Sequence, residues 1–221
     1  MSFKEDQICK NMYGTYYVPL AHKHRAVPQK LLNGEVYEAN TLNFIKDNIG
    51  DGSIVHAGTY IGDMIPALSS FVKKGIVLCF EPVSFNYDYA LRNISLNKLQ
   101  NVFLFRGCLS NRLCSLYMET EENGKPLGGG SFISKTSKKE KVDAVRLDDL
   151  AFDVNNITIL HLDVEGHEFE ALQGSVETIN KNKPFIILEE LFGINKSVNM
   201  LKGMGYSVID KIDGNVILKH D

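Results

Sequence analysis

The sequence predicts an α/β fold built on a mostly parallel sheet with helices on both faces. Three observations predict it. Short β-rich apolar runs alternate with helix-spaced segments from about residue 53 onward. The run Gly75-Ile76-Val77-Leu78-Cys79-Phe80 is apolar at every position, as a parallel strand buried on both faces is. Near the C-terminus, Asp213-Gly214-Asn215 splits two apolar runs, a hairpin signal that predicts an antiparallel pair at the end of the sheet.

Each element follows in order. Ser53-Ile54-Val55-His56-Ala57, closed by Gly58, reads as the first strand. Residues 61–72 space Ile61, Ile65, Leu68 and Phe71 at helical intervals. Residues 75–80 form the second strand, 87–99 a helix and 101–105 the third strand. Residues 157–164 read as a fourth strand, 168–180 as a helix and 184–188 as a fifth strand. A helix over 195–202 is ended by Gly203 and Gly205. Right-handed crossovers join such parallel strands. Residues 1–48 are expected to form an N-terminal cap with a helix near residues 39–47, and residues 49–221 the main domain. Residues 111–141 interrupt the alternation as a loop or hairpin excursion. It carries Gly128-Gly129-Gly130 and a lysine-rich run from Lys135 to Lys141, which reads as a solvated face.

Composition removes several function classes. Lys and Arg number 24 against 27 Asp and Glu, so the chain lacks the basic excess of a nucleic-acid-coating protein. The longest apolar runs are too short to cross a bilayer. Lys4-Glu5-Asp6 stands where a signal peptide needs an apolar stretch, which points to a cytoplasmic protein. Cys9, Cys79, Cys108 and Cys114 form no CxxC pair, which fits reduced thiols and excludes zinc fingers and disulfide scaffolds.

In an open parallel sheet, ligands bind beyond the carboxyl ends of the strands, where the strand order switches. After the first strand come His56-Ala57-Gly58-Thr59-Tyr60-Ile61-Gly62-Asp63. Gly58 and Gly62 allow a tight turn and a close backbone approach to a ligand. A dinucleotide site would want another glycine where Tyr60 stands, so a ligand without a pyrophosphate fits better. Glu81, at the tip of the second strand, is placed to accept hydrogen bonds from both ribose hydroxyls of a nucleoside, and Pro82 stops the strand. The fourth strand ends in His161-Leu162-Asp163-Val164-Glu165-Gly166-His167-Glu168. Strand alternation puts His161, Asp163 and Glu165 on one face. Burying so many titratable groups is too costly to be routine packing, so this cluster is the leading functional candidate. Gly166 permits the turn and His167 opens the next helix near the ligand face. A salt-bridged helix cap is the structural alternative. Histidine and carboxylates also suit a divalent metal, but nothing in the sequence fixes a geometry and no metal is assigned.

Together these residues resemble the FkbM-type family of S-adenosylmethionine-dependent methyltransferases. The resemblance covers roughly residues 35–190. It rests on Glu35-Val36-Tyr37-Glu38, Gly58-Thr59-Tyr60-Ile61-Gly62, Phe80-Glu81-Pro82 with Asn86 and Asn93, residues 142–150, residues 162–168, and Lys183-Pro184-Phe185-Ile186-Ile187-Leu188-Glu189. It implies a Rossmann-like class I methyltransferase sheet, S-adenosyl-L-methionine as cofactor, and methyl transfer to a hydroxyl of a sugar or natural product. His56, Gly58, Thr59, Tyr60 and Gly62 would lie along the cofactor's methionine end. Glu81, Pro82 and Asn86 would hold the ribose, and Cys108 and Leu109 would border the adenine. Asp163 would touch the cofactor and, with Glu165 and His167, supply the candidate catalytic groups. Glu189, at the tip of the fifth strand, and the segments Tyr16-Tyr17-Val18-Pro19 and His22-Lys23-His24-Arg25 are candidates to face the acceptor.

The sequence departs from the family where His56 replaces a usual acid and His161 a frequent lysine. Two other readings therefore stay open: a cofactor-binding module without catalysis, and a nicotinamide-dependent oxidoreductase, which the missing middle glycine disfavours. The expected partner is a small-molecule or glycan acceptor, without nucleic acid or a membrane span. The oligomeric state is left open, a homodimer included.

Overall fold

The computed structural model describes residues 6–136, 139–150, 156–191 and 193–221. The first five residues, and Ser137-Lys138 of the lysine-rich run, lie outside the described residues. The chain opens with a hairpin of β1 (Asp6–Lys10) and β2 (Thr15–Pro19), then α1 (Ala26–Leu32) and α2 (Ala39–Asn48). The alternating unit runs β3 (Ser53–Ala57), α3 (Ile65–Phe71), β4 (Val77–Phe80), α4 (Ser84–Leu96) and β5 (Val102–Phe105). A series of short strands follows: β6 (Cys108–Leu109), β7 (Cys114–Glu119), β8 (Glu121–Glu122), β9 (Lys125–Pro126), β10 (Phe132–Ile133) and β11 (Glu140–Val145). The alternation resumes with β12 (Ile157–Leu162), α5 (Glu168–Gln173), α6 (Val176–Asn182), β13 (Phe185–Glu189) and α7 (Ile194–Gly203), and ends in β14 (Tyr206–Ile212) and β15 (Asn215–His220).

The principal sheet has the order β14-β15-β13-β12-β3-β4-β5. Strands β13, β12, β3, β4 and β5 run parallel, while β15 is antiparallel to both β13 and β14. From β3 the chain moves outward through β4 to β5, then returns on the other side of β3 as β12. The order therefore switches between β3 and β12, and their carboxyl ends open the crevice where such sheets bind ligands.

Period-two alternation divides the strand residues between two apolar layers. Val55, Leu78, Leu160, Ile186 and Leu188 pack with Ala171, Leu172, Ile179 and Leu201 from α5, α6 and α7. Ile54, Val77, Cys79, Ile159 and Ile187 pack with Leu42, Ile45, Ile65, Leu68 and Ala90 from α2, α3 and α4. Each fully buried Leu or Ile contributes about 1.5–3 kcal/mol. The two layers thus fix the strand ends from which the site is built.

Several boundaries differ from the sequence expectation. The helix after β3 begins at Ile65 rather than residue 61, because Tyr60 (φ 51°) and Gly62 (φ 79°) are left-handed and end any helix before it forms. The next helix begins earlier than residue 87, at Ser84, directly after the extended Val83. The stretch 168–180 is two helices. Gly174 breaks it by lying against Ser110, where a Cβ would sit 1.9 Å from the carbonyl oxygen. Of the loop and hairpin alternatives for residues 111–141, the described residues follow the hairpin: β7 pairs antiparallel with β11 and β10, and β11 pairs parallel with β6.

Two asparagines of α4 attach the flanking segments to the sheet domain. Asn93 accepts from the Tyr17 amide at 2.7 Å and donates to the Ile61 carbonyl at 2.9 Å. Asn86 donates to the Gly128 carbonyl at 3.2 Å, which anchors the triple-glycine segment above the sheet.

Candidate active site

At the switch point the end of β3 touches the end of β12. The Asp163 amide donates to the Ala57 carbonyl at 3.0 Å, and a Cβ on Gly58 would lie 1.6 Å from the Asp163 carbonyl oxygen. With φ at 88°, Gly58 is required both for the turn and for this contact. Gly62 has a different task. It sits against Ala90 of α4, where a Cβ would come within 3.1 Å of the backbone, and it lines neither of the two cavities at the switch point.

The turn after β3 is tied to the acid at the tip of β4. Glu81 is buried and accepts from the amides of Tyr60 at 2.7 Å and Val83 at 2.9 Å, and from Asn86 Nδ2 at 3.4 Å. Burial raises its proton affinity to a pKa of about 8, while these hydrogen bonds oppose that rise. The Tyr60 hydroxyl pairs with His22 Nδ1 at 2.8 Å, carrying the connection on to the N-terminal segment.

Two cavities open over the switch point. One spans about 480 Å³, its opening to solvent included, between Phe80, Glu81, Pro82, Asn86, Cys108 and Leu109 on the β4 side and Val164 and His167 on the β12 side. Its walls are mainly apolar, with Met118 and Ile133 of the excursion closing it. The other, of about 630 Å³, is polar and acidic: Asp63, Asp163, Glu165 and Glu189 face it with His56, Thr59, Tyr60 and Tyr37, and Arg25 is its cation. Gly58, Gly129, Asp163 and Glu165 border both cavities, so the two join there.

The expectation that one strand face carries His161, Asp163 and Glu165 needs correction. The strand ends at Leu162, and Glu165 is left-handed at φ 52°. The turn, not the pleat, brings its carboxylate beside Asp163. Glu168 holds that turn, its Oε1 accepting from the amides of Val164 at 3.3 Å and Gly166 at 3.2 Å. His161 stays within the sheet, fully buried, its ring stacked on His56 of the neighbouring strand at 4.8 Å between centroids. Burial keeps both imidazoles neutral.

His167 is likewise separated from the acid-lined cavity. It lies on the apolar side with Nε2 on Ser110 Oγ at 3.0 Å, and burial lowers its pKa. Asp163 has its proton affinity raised well above the usual carboxylate range, by burial and then by Glu189, to which it donates a hydrogen bond. Burial also lifts Glu165 and Asp63 to about 7.

Of the N-terminal residues expected at an acceptor cleft, Tyr16 and Val18 are instead buried against Tyr60, Ile61 and Tyr89, and Arg25 is the one that reaches the acid-lined cavity. Asp63 and Tyr37 were not singled out from sequence as site residues. Asp63 directly follows the glycine turn, and Tyr37 lies in a segment quoted only for resemblance.

Residues 56–208 match the family model described as the methyltransferase FkbM domain. No curated protein matches the chain by sequence. Among solved structures, the fold is similar to a methyltransferase FkbM from Methylobacillus flagellatus KT, with 14% identity and a TM-score of 0.56, over 77% of this chain and 44% of that one. The chain therefore spans less than half of that relative. It is also similar to a putative rRNA-methylase from Clostridium thermocellum (12% identity, TM-score 0.54, 85% and 97% of the two chains). M. jannaschii TYW2, solved in complex with AdoMet, aligns over 100% of this chain and 90% of its own at 16% identity and a TM-score of 0.50. At such identities the structures speak to fold alone, whereas the family match spans most of the chain. The chain belongs to the FkbM methyltransferase family.

Proposed function

We propose that the protein is a cytoplasmic O-methyltransferase that uses S-adenosylmethionine to methylate a hydroxyl of a sugar or natural-product acceptor. The observation that carries this reading is the junction of the two cavities at Gly58, Gly129, Asp163 and Glu165. A mainly apolar slot with Glu81 on its wall and Asp163 and Glu165 at the junction suits a nucleoside, and an adjoining acidic chamber suits a cationic amino-acid end and a polar acceptor.

The residues fit the cofactor by their chemistry. Phe80, Leu109, Met118 and Val164 offer apolar surface for a purine, and Glu81 faces the same slot with lone pairs for ribose hydroxyls. Asp63, lifted to about 7 by burial, favours a positively charged neighbour. When bound, S-adenosylmethionine supplies an activated methyl group on a sulfonium, so the protein needs no acid for the leaving group. What remains for the chain is positioning and removal of the hydroxyl proton. Asp163 and Glu165 border both cavities and are the candidate bases; burial lifts Glu165 to about 7, which suits proton uptake near neutrality, while Asp163 serves as base only once its own proton has passed to Glu189. His167, held by Ser110, is better placed to border the nucleoside. The cap over residues 1–48, through Arg25 and Tyr37, and the excursion over 111–141, through Gly129 and Gly130, would select the acceptor. The binding-module reading drew on His56 and His161. Those rings stack on each other below carboxylates that remain available for catalysis, which favours the enzyme.

The test is transfer of labelled methyl from S-adenosylmethionine to a panel of saccharide and polyol acceptors, with amine and thiol acceptors alongside. Label on a hydroxyl, reduced about 10²–10⁴-fold in Asp163→Asn or Glu165→Gln, supports the reading. Label on amines or thiols alone, or none in the presence of bound cofactor, overturns it.

A further inference from the structure

The acid-lined cavity gathers more carboxyl groups than it has cations to pair with them. One ligand oxygen each from Asp163, Glu165 and Glu189 lies within 4.8 Å of the others, and Asp63 faces the same space. Arg25 is one cation lining this space against four carboxyl groups, and carboxyl groups this close share protons or a cation rather than all standing ionised. The three clustered carboxylates are half-buried, not sealed, so an ion carrying some of its water can reach them.

A separate observation concerns polar atoms without partners. His56 is 3% exposed, forms part of the wall of this cavity, and its buried Nδ1 has no hydrogen-bond partner. Buried polar atoms left unpaired are uncommon, and a water or ion held in the adjoining cavity would supply the partner that this atom lacks. His56 comes from β3, Asp163 and Glu165 from the turn after β12, and Glu189 from the end of β13. Three adjacent strands thus direct donors to one place.

We propose that Asp163, Glu165 and Glu189 bind a hard divalent cation, Mg²⁺ or Mn²⁺, at the acceptor side of the site, with His56 in its outer surroundings. Oxygen-only ligands without a thiol select such ions over softer metals, and Mg²⁺ in particular keeps several waters when bound by few carboxylates. The inference deepens the methyltransferase reading: a cation here would place an acceptor oxygen beside the junction and offset the carboxylate charge. It rests on that reading for its purpose but not for its test.

Mn²⁺ provides the probe. Titrated into the full chain without cofactor, it should lose its free-ion electron paramagnetic resonance signal at one site per chain, and Mg²⁺ should compete. Glu189→Gln and Glu165→Gln should each weaken Mn²⁺ by about tenfold or more. Both replace a half-buried carboxyl group of a crowded acidic cluster by a neutral amide of the same shape, so thermal unfolding of the metal-free variants should be no lower than wild type, which separates lost ligation from lost fold. Absence of Mn²⁺ binding, or binding equally tight in both variants, overturns the proposal. Cofactor binding measured on the same samples reports separately on the methyltransferase reading.

Discussion

The amide of Tyr60 donates to Oε2 of Glu81 at 2.7 Å, making the turn after β3 and the tip of β4 one unit. Tyr60 is left-handed at φ 51°, a conformation costly for a non-glycine residue and kept here by bonds at both ends of the residue. Its amide holds Glu81 while its hydroxyl holds His22. Glu81→Gln would aim an amide NH₂ at one of the two backbone donors. Leaving that buried amide without an acceptor costs about 1–3 kcal/mol, so cofactor affinity should fall roughly 5- to 100-fold, measured by calorimetry.

Tyr60→Phe separates the two bonds. The amide contact to Glu81 survives, while the buried His22 Nδ1 loses its partner. Stability should drop by about 1–2 kcal/mol in denaturant unfolding, with cofactor affinity changing far less. Equal losses in both would show that the His22 contact shapes the turn itself.

Gly58 and Gly129 both border the junction yet should respond oppositely to alanine. At Gly58 the new Cβ would meet the Asp163 carbonyl at 1.6 Å with φ at 88°, so Gly58→Ala should cost more than about 4 kcal/mol and yield little folded protein. At Gly129 the nearest atom is Tyr60 Cγ at 3.4 Å, an ordinary contact. Gly129→Ala should keep its unfolding temperature and change acceptor turnover.

Asp63 gives the unliganded protein a signed pH dependence. Its pKa rises from 3.8 to about 7 on folding, because burial penalises the charged form. The folded chain therefore holds a proton that the unfolded chain releases. The stabilising contribution is complete below the unfolded value and lost as pH rises through about 7. Thermal unfolding of the wild type between pH 5 and 8 should fall more steeply than that of Asp63→Asn. Cofactor affinity should move the other way, since ionised Asp63 favours a cation. Identical slopes in the two proteins would remove Asp63 from this role.

Much of the sheet was legible because a fully buried strand such as β4 writes itself as an unbroken apolar run. Glu81 was legible too, standing one βα unit beyond the glycine turn. Arg25 and Tyr37 could not be assigned to a cavity from spacing, since they reach the site from outside the alternation and no period governs their placement. The convergence of Glu165 with Asp163 depends on a left-handed turn, which strand alternation misplaces. The break at Gly174 had a visible glycine, but the contact with Ser110 that requires it spans distant parts of the chain.

The proposed function requires S-adenosylmethionine to bind over the switch point between Gly58 and Asp163. Calorimetric titration of S-adenosylmethionine and S-adenosylhomocysteine into the full chain tests it most directly, with Glu81→Gln and the cavity-filling Val164→Trp beside wild type. The expected result is binding of both to wild type, weakened at least about tenfold in each variant. Failure of both to bind folded wild type, or binding unchanged by either substitution, would contradict it.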